Sequence, residues 1–136
     1  MIPDFNDDSY LPPGIHPATL DEIERRFSSH SELRRVQMQS VRWLVDLAGK
    51  AGVERIVLNG SFVADTHEPN DVDCVLLISP DMARDRDALE ELDKGLPFLD
   101  IALLERDDFA RMVEHFFAAD RCLVVKGMVE VISREL

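Results

Sequence analysis

Two acids, Asp71 and Asp73, stand two residues apart at the head of an apolar run, Val72 to Ile78. Side chains at i and i+2 of a strand leave the same face, so both carboxylates project together. Two like charges held that close are unfavourable unless a cation sits between them. A third acid, Asp100, interrupts the apolar stretch Phe98-Leu99-Asp100-Ile101-Ala102-Leu103, where an isolated carboxylate needs a partner. With the two strands as neighbours, Asp100 completes a three-carboxylate cluster. Hard oxygen ligands of this kind suit Mg2+ or Mn2+. Two metals held by three carboxylates can activate an attacking hydroxyl and neutralise the charge that develops on a phosphoryl group.

An Asp-x-Asp pair alone is a weak signal. The chain has 27 acidic residues in 136, so such pairs arise by chance, and Asp85 with Asp87 is another. The second half of the pattern is Gly60-Ser61, at the end of its own apolar stretch. Glycine there permits close backbone approach, and the following amides with the Ser61 hydroxyl can hold phosphate oxygens. Without the acids, Gly60-Ser61 would read as an ordinary strand-ending turn.

These residues need a scaffold that brings strands together. Thr19 with Glu22 forms a capping-box pattern that opens a helix over 19–27. A start signal at Ser31 precedes a long helix over 33–51, whose apolar residues recur at helical spacing until Gly52 ends it. Residues 54–59 read as a strand, 65–70 as a polar loop, and 71–79 as a strand apolar enough to be covered on both faces. A helix over 81–94 with Met82, Leu89 and Leu92 inward, a strand over 98–104 and a helix over 108–119 follow. Two short β-like runs, 122–125 and 128–132, flank Lys126-Gly127. The expected fold is an α/β (α+β) domain, a small mixed β-sheet with helices packed on it. Residues 1–17, rich in Pro, Asp and Asn, read as an extended arm anchored by Tyr10, Leu11 and Ile15, and 18–136 as a single domain.

The formal net charge of −12 repels phosphate backbones and anionic membranes, which disfavours non-specific nucleic-acid binding. A bound cation, a basic protein partner or a homo-oligomer suits that charge; a merely soluble acidic surface explains it as well. No apolar stretch approaches the length of a membrane span, and the start of the chain carries Asp4, Asp7 and Asp8, so a cytoplasmic protein is expected. Cys74 and Cys122 both read as buried small hydrophobes. Arg25-Arg26 and Arg34-Arg35 read as solvated helix faces, Lys126 as a turn lysine within reach of a phosphate, and Trp43 and Phe116-Phe117 as core or a dimer contact. His16, His30 and His115 have no ligand-like spacing.

Gly60-Ser61, followed after nine residues by Asp71-Val72-Asp73 and then by Asp100, resembles the signature of the nucleotidyltransferase superfamily of the DNA polymerase β type. The strings Leu11-Pro12-Pro13-Gly14-Ile15-His16, Pro69-Asn70-Asp71 and Lys126-Gly127-Met128-Val129 look like a small bacterial branch of it, so the resemblance covers most of the chain. It implies a nucleotidyltransferase-like fold. By that resemblance Gly60 and Ser61 bind the nucleoside triphosphate, Asp71 and Asp73 ligate the metals, and Asp100 helps to activate the acceptor hydroxyl. Members of the superfamily transfer a nucleoside monophosphate to a hydroxyl of a small molecule, nucleic acid or protein, and several small ones belong to toxin–antitoxin or phage-defence pairs. Many carry a basic residue shortly after the Gly-Ser pair; here Asp65-Thr66-His67-Glu68 occupies that loop. That departure keeps a second expectation open, a catalytically weak or inactive nucleotidyltransferase-fold module that binds or regulates a partner protein.

Overall fold

The computed structural model describes residues 2–66, 68–81, 85–116 and 126–132. The chain folds as an α+β domain around a five-stranded mixed sheet of order β1-β5-β2-β3-β4. The strands are β1 (Gly14–Ala18), β2 (Arg55–Asn59), β3 (Val72–Leu77), β4 (Leu99–Leu104) and β5 (Gly127–Val131). The helices are α1 (Leu20–Phe27), α2 (Glu32–Ala51), α3 (Arg86–Lys94) and α4 (Arg106–Arg111), the last continuing as a π-turn over Met112–Phe116. The strand expected over 122–125 lies outside the described residues, as do Cys122, His67, Met82, Phe117 and the last residues of the helix expected to reach 119.

Local sequence sets the helix ends. Thr19 accepts from the Glu22 amide at 3.2 Å while Glu22 accepts from the Thr19 amide at 3.1 Å, the reciprocal capping box that the sequence implied. Ser31 caps α2, and Gly52, at φ +84°, closes it in a conformation that only glycine adopts freely. Asp85 accepts from the Ala88 amide, so one member of the second Asp-x-Asp pair is a helix cap.

Strand alternation divides the sheet into two faces. One face sends Ile56, Leu58, Val72, Cys74, Leu76, Val129 and Val131 into the main core, beneath α1, α2 and α3. The other sends Val57, Val75, Leu77 and Met128 against Phe109 and Val113. β3 is therefore covered on both faces, as its continuous apolar run required. Cys74 is buried there, and burial pushes its thiol far above the usual range, so it is a packing residue.

Several placements differ from the sequence expectation; the helix expected over 81–94, for one, starts only at Arg86, behind the Asp85 cap. Residues 14–18, the end of the expected arm and the start of the expected domain, form the edge strand β1, parallel to β5. A single proline-containing strand is hard to read from pattern; Pro17 is tolerated because β1 has a neighbour on one side only. Leu11 is fully buried and anchors the arm as expected. Trp43 is not in the core: it is 47% exposed on α2.

Candidate functional site

The site forms at the end of the sheet where β2 finishes and β3 and β4 begin. Asp73 lies opposite Asn59 of antiparallel β2 and beside Asp100 of parallel β4. Paired residues share a face, so Asn59, Asp73 and Asp100 form one row across three strands on the α4 side. Asp71 lies just before β3, close enough for its charge to act on Asp73. The β3–β4 pairing required for the carboxylate cluster is thus present, and its register puts Asp73 and Asp100 directly abreast.

The electrostatics follow from this arrangement. Asp73 is half-buried, and desolvation raises its pKa above the usual 3.8. The Asp100 and Asp71 charges add to the rise, and the Lys126 ammonium opposes it. Asp71 and Asp100 are both exposed. Asp100 is therefore not an acid trapped in an apolar strand: β4 is an edge strand, and water reaches its outer end.

Gly60, at φ +79°, opens a short 3-10 turn over Gly60–Val63. The backbone conformation favours glycine, and a Cβ at this position would meet Oδ2 of Asp73 and push that carboxylate aside. The two halves of the sequence motif are therefore in direct contact. Ser61 is exposed on the turn, with its hydroxyl accessible.

Three contributors stand outside the Gly-Ser and carboxylate motif. Lys126, read as a turn lysine or one that reaches a phosphate, has its charge fall on Asp73 because β5 lies next to β2 in the sheet. The strings around Pro12 and Gly127 explain its placement. Gly14 pairs with Gly127 and Ile15 with Met128, the Gly127 amide donates to the Leu11 carbonyl at 2.9 Å, and a Cβ at Gly127 would strike the Pro12 carbonyl. Those motifs seat β5 and with it Lys126. Asn59 is fully buried in the Asp73 row, and among the described residues neither its Oδ1 nor its Nδ2 has a hydrogen-bond partner. An orphaned carboxamide costs roughly 1–3 kcal/mol, which fits a group shaped for a ligand or an ordered water.

Arg34 is the third, and it departs from the reading of Arg34-Arg35 as a solvated face, which holds for the exposed Arg35 alone. Arg34 is 7% exposed, and its guanidinium donates to the carbonyls of Phe27, Ser61, Phe62, Ala64 and Thr66. Burial pulls its pKa down and the Asp65 charge partly offsets that. Gln37, one turn later on α2, donates to the Pro69 carbonyl at 2.6 Å. The long helix thus clamps both ends of the loop that joins Gly60-Ser61 to Asp71. A signal existed in the sequence: Arg34 and Gln37 fall on the inward side of a helix with Met38, Val41 and Leu44, where an unpartnered polar residue would be unfavourable.

The donors fit a divalent cation in kind. Asp71, Asp73 and Asp100 offer carboxylate oxygens, Asn59 a neutral one, and a cation would relieve the repulsion that burial and neighbouring acids impose on Asp73. Among the described residues no group of three or more His, Cys, Asp or Glu side chains has the arrangement of a ready-made metal cage. The fit is to an open Mg2+-type site, in which one or two carboxylates share the ion with substrate phosphates.

Residues 3–132 match a family described as a family of unknown function, DUF6932. The chain belongs to the DUF6932 family. The match spans the arm, all five strands and the whole candidate site, so in this DUF6932 chain the segment before α1 is part of the family unit. No curated protein and no solved structure matches the chain. Among the described residues no helix is long and apolar enough to cross a membrane.

Proposed function

We propose that this chain is a metal-dependent nucleotidyltransferase that moves a nucleoside monophosphate from a nucleoside triphosphate to a hydroxyl acceptor. The observation that carries the reading is the contact of Gly60 with Asp73 in a row where Asp73 and Asp100 stand abreast. The resemblance to the DNA polymerase β type superfamily rests on the same residues. Asp71, Asp73 and Asp100 would hold Mg2+ or Mn2+, which supplies charge neutralisation at the phosphoryl group and lowers the pKa of a bound hydroxyl.

The chain's own residues have separable tasks. Gly60 leaves room for the Asp73 carboxylate and for close backbone approach by a phosphate. The Ser61 hydroxyl is placed to donate to a phosphate oxygen. Asp100, exposed at the sheet edge, is reachable by an acceptor hydroxyl. Lys126, whose field already falls on Asp73, supplies the positive charge that the acidic loop after Gly60-Ser61 does not. The test is transfer from a triphosphate labelled at the α-phosphate, offered with Mg2+ and cell-extract acceptors. Label should become covalently attached to an acceptor with the wild type and not with Asp73→Asn; equal labelling by both would refute the proposal.

One observation favours a second reading, a fold that binds or regulates a partner without catalysis. Asp65 and Glu68 are both exposed on the loop that many superfamily members make basic. Stable co-purification with a basic protein, undisturbed by Asp100→Asn, would favour that alternative.

A further inference from the structure

On the α1–α2 side of the domain, away from the three carboxylates, a cavity of about 420 Å3 opens between the arm, the end of α1, the start of α2 and residues 64–66. Its walls carry Arg25, Arg26, His30 and Arg34 with the rings of Phe5 and Phe27. In a chain with a formal net charge of −12, this gathering of three arginines is out of keeping with the average surface. The neighbouring acids do not neutralise it. Asp21 and Glu24 of α1 are both engaged by Arg42, at 2.9 and 3.0 Å, and Glu22 closes the capping box on Thr19. Asp65, the one acid on the described wall, lies where its charge acts on Arg34.

Arg34 is committed to the loop carbonyls. Arg25 and Arg26 are not committed: among the described residues neither guanidinium donates a hydrogen bond or pairs with a carboxylate. Arg26 is held in place instead by aromatic faces, with its Cζ 4.4 Å from the Phe5 centroid and 5.8 Å from that of Phe27. Stacking of this kind leaves the in-plane N–H groups free, and a guanidinium fork matches phosphate oxygens two at a time. The volume lies within the range of small-molecule sites and far exceeds a lone inorganic ion, so the ligand has an organic part. Phe5 and Phe27 offer that part an apolar wall.

We propose that this cavity binds a phosphate monoester of nucleotide size, with Arg25 and Arg26 on the phosphate and Phe5 and Phe27 beside the organic portion. The proposal does not rest on the reading of the carboxylate site, and it replaces the reading of Arg25-Arg26 as a solvated face. The site touches that reading at one point: Arg34 lines the cavity and also holds the turn that carries Gly60 and Ser61.

The test is calorimetric titration of AMP into the full chain in EDTA, with adenosine as the control. AMP should bind the wild type, adenosine should bind at least about tenfold more weakly, and Arg25→Gln with Arg26→Gln should lose AMP affinity by about tenfold or more. Asp71→Asn with Asp73→Asn should leave AMP affinity unchanged. Should the double glutamine variant melt early, Arg25→Gln alone carries the test, since Arg25 is exposed and takes no part in the ring stack; a loss of about threefold or more is then expected. No AMP binding, equal binding by the glutamine variants, or a loss confined to the carboxylate variant would overturn the proposal.

Discussion

Asp73 is the residue on which the site's electrostatics converge. Burial and the charges of Asp100 and Asp71 raise its pKa, so between its usual 3.8 and that higher value the folded chain binds more protons than the unfolded one. Stability therefore falls as pH rises through that window, and the unfavourable contribution is fully present above it. Asparagine mimics the protonated form. In EDTA, Asp73→Asn should melt at a higher temperature than the wild type at pH 7, and the gap should close as the pH is brought down to 3.8. Thermal unfolding followed by circular dichroism across that range checks it. Equal melting temperatures at pH 7 would mean that Asp73 is not strained by its neighbours.

At the scale of elements, α2 does more than cover the sheet. Through Arg34 and Gln37 it fixes the path from Gly60 to Asp71, and Arg34 alone satisfies carbonyls on five residues. Replacing it with methionine keeps the stem but leaves those acceptors without their donor, at a cost of about 3 kcal/mol. Lysine keeps the charge without the fork and should recover only part of the loss. Urea unfolding measures both; a loss under about 0.5 kcal/mol for Arg34→Met, the range of an ordinary surface change, would show that the clamp is not structural. This clamp marks where sequence reading falls short. Helical and strand periodicity identified α1, α2, β2, β3 and β4, because their apolar residues repeat with a clear period. The same reasoning treated Arg34 as solvated, because a basic doublet beside Glu32 looks like a surface pattern. What makes Arg34 structural is a loop 27 to 32 residues away in sequence, and no local pattern encodes that distance.

The whole molecule shows the same division. Asp71, Asp73 and Asp100 could be grouped from sequence by strand alternation and one assumed pairing, and Gly60 joined them through the resemblance to a known signature. Lys126 and Asn59 could not, because their membership depends on β5 crossing to lie beside β2 and on the exact row in which Asn59 meets Asp73. Likewise the strand β1 exists only because β5 is there to pair with it. The assembled sheet thus brings to one end of its strands a tight glycine turn, three acids, a buried carboxamide and a lysine. On the proposed reading, such a row would hold a cation shared with an incoming polyphosphate. The most direct measurement is calorimetric titration of a non-hydrolysable ATP analogue into the wild type and into Asp71→Ala with Asp73→Ala, each with Mg2+ and with EDTA. The account predicts binding by the wild type that requires Mg2+ and weakens by about tenfold or more in the double variant. Equal affinity of wild type and double variant in Mg2+ would contradict it.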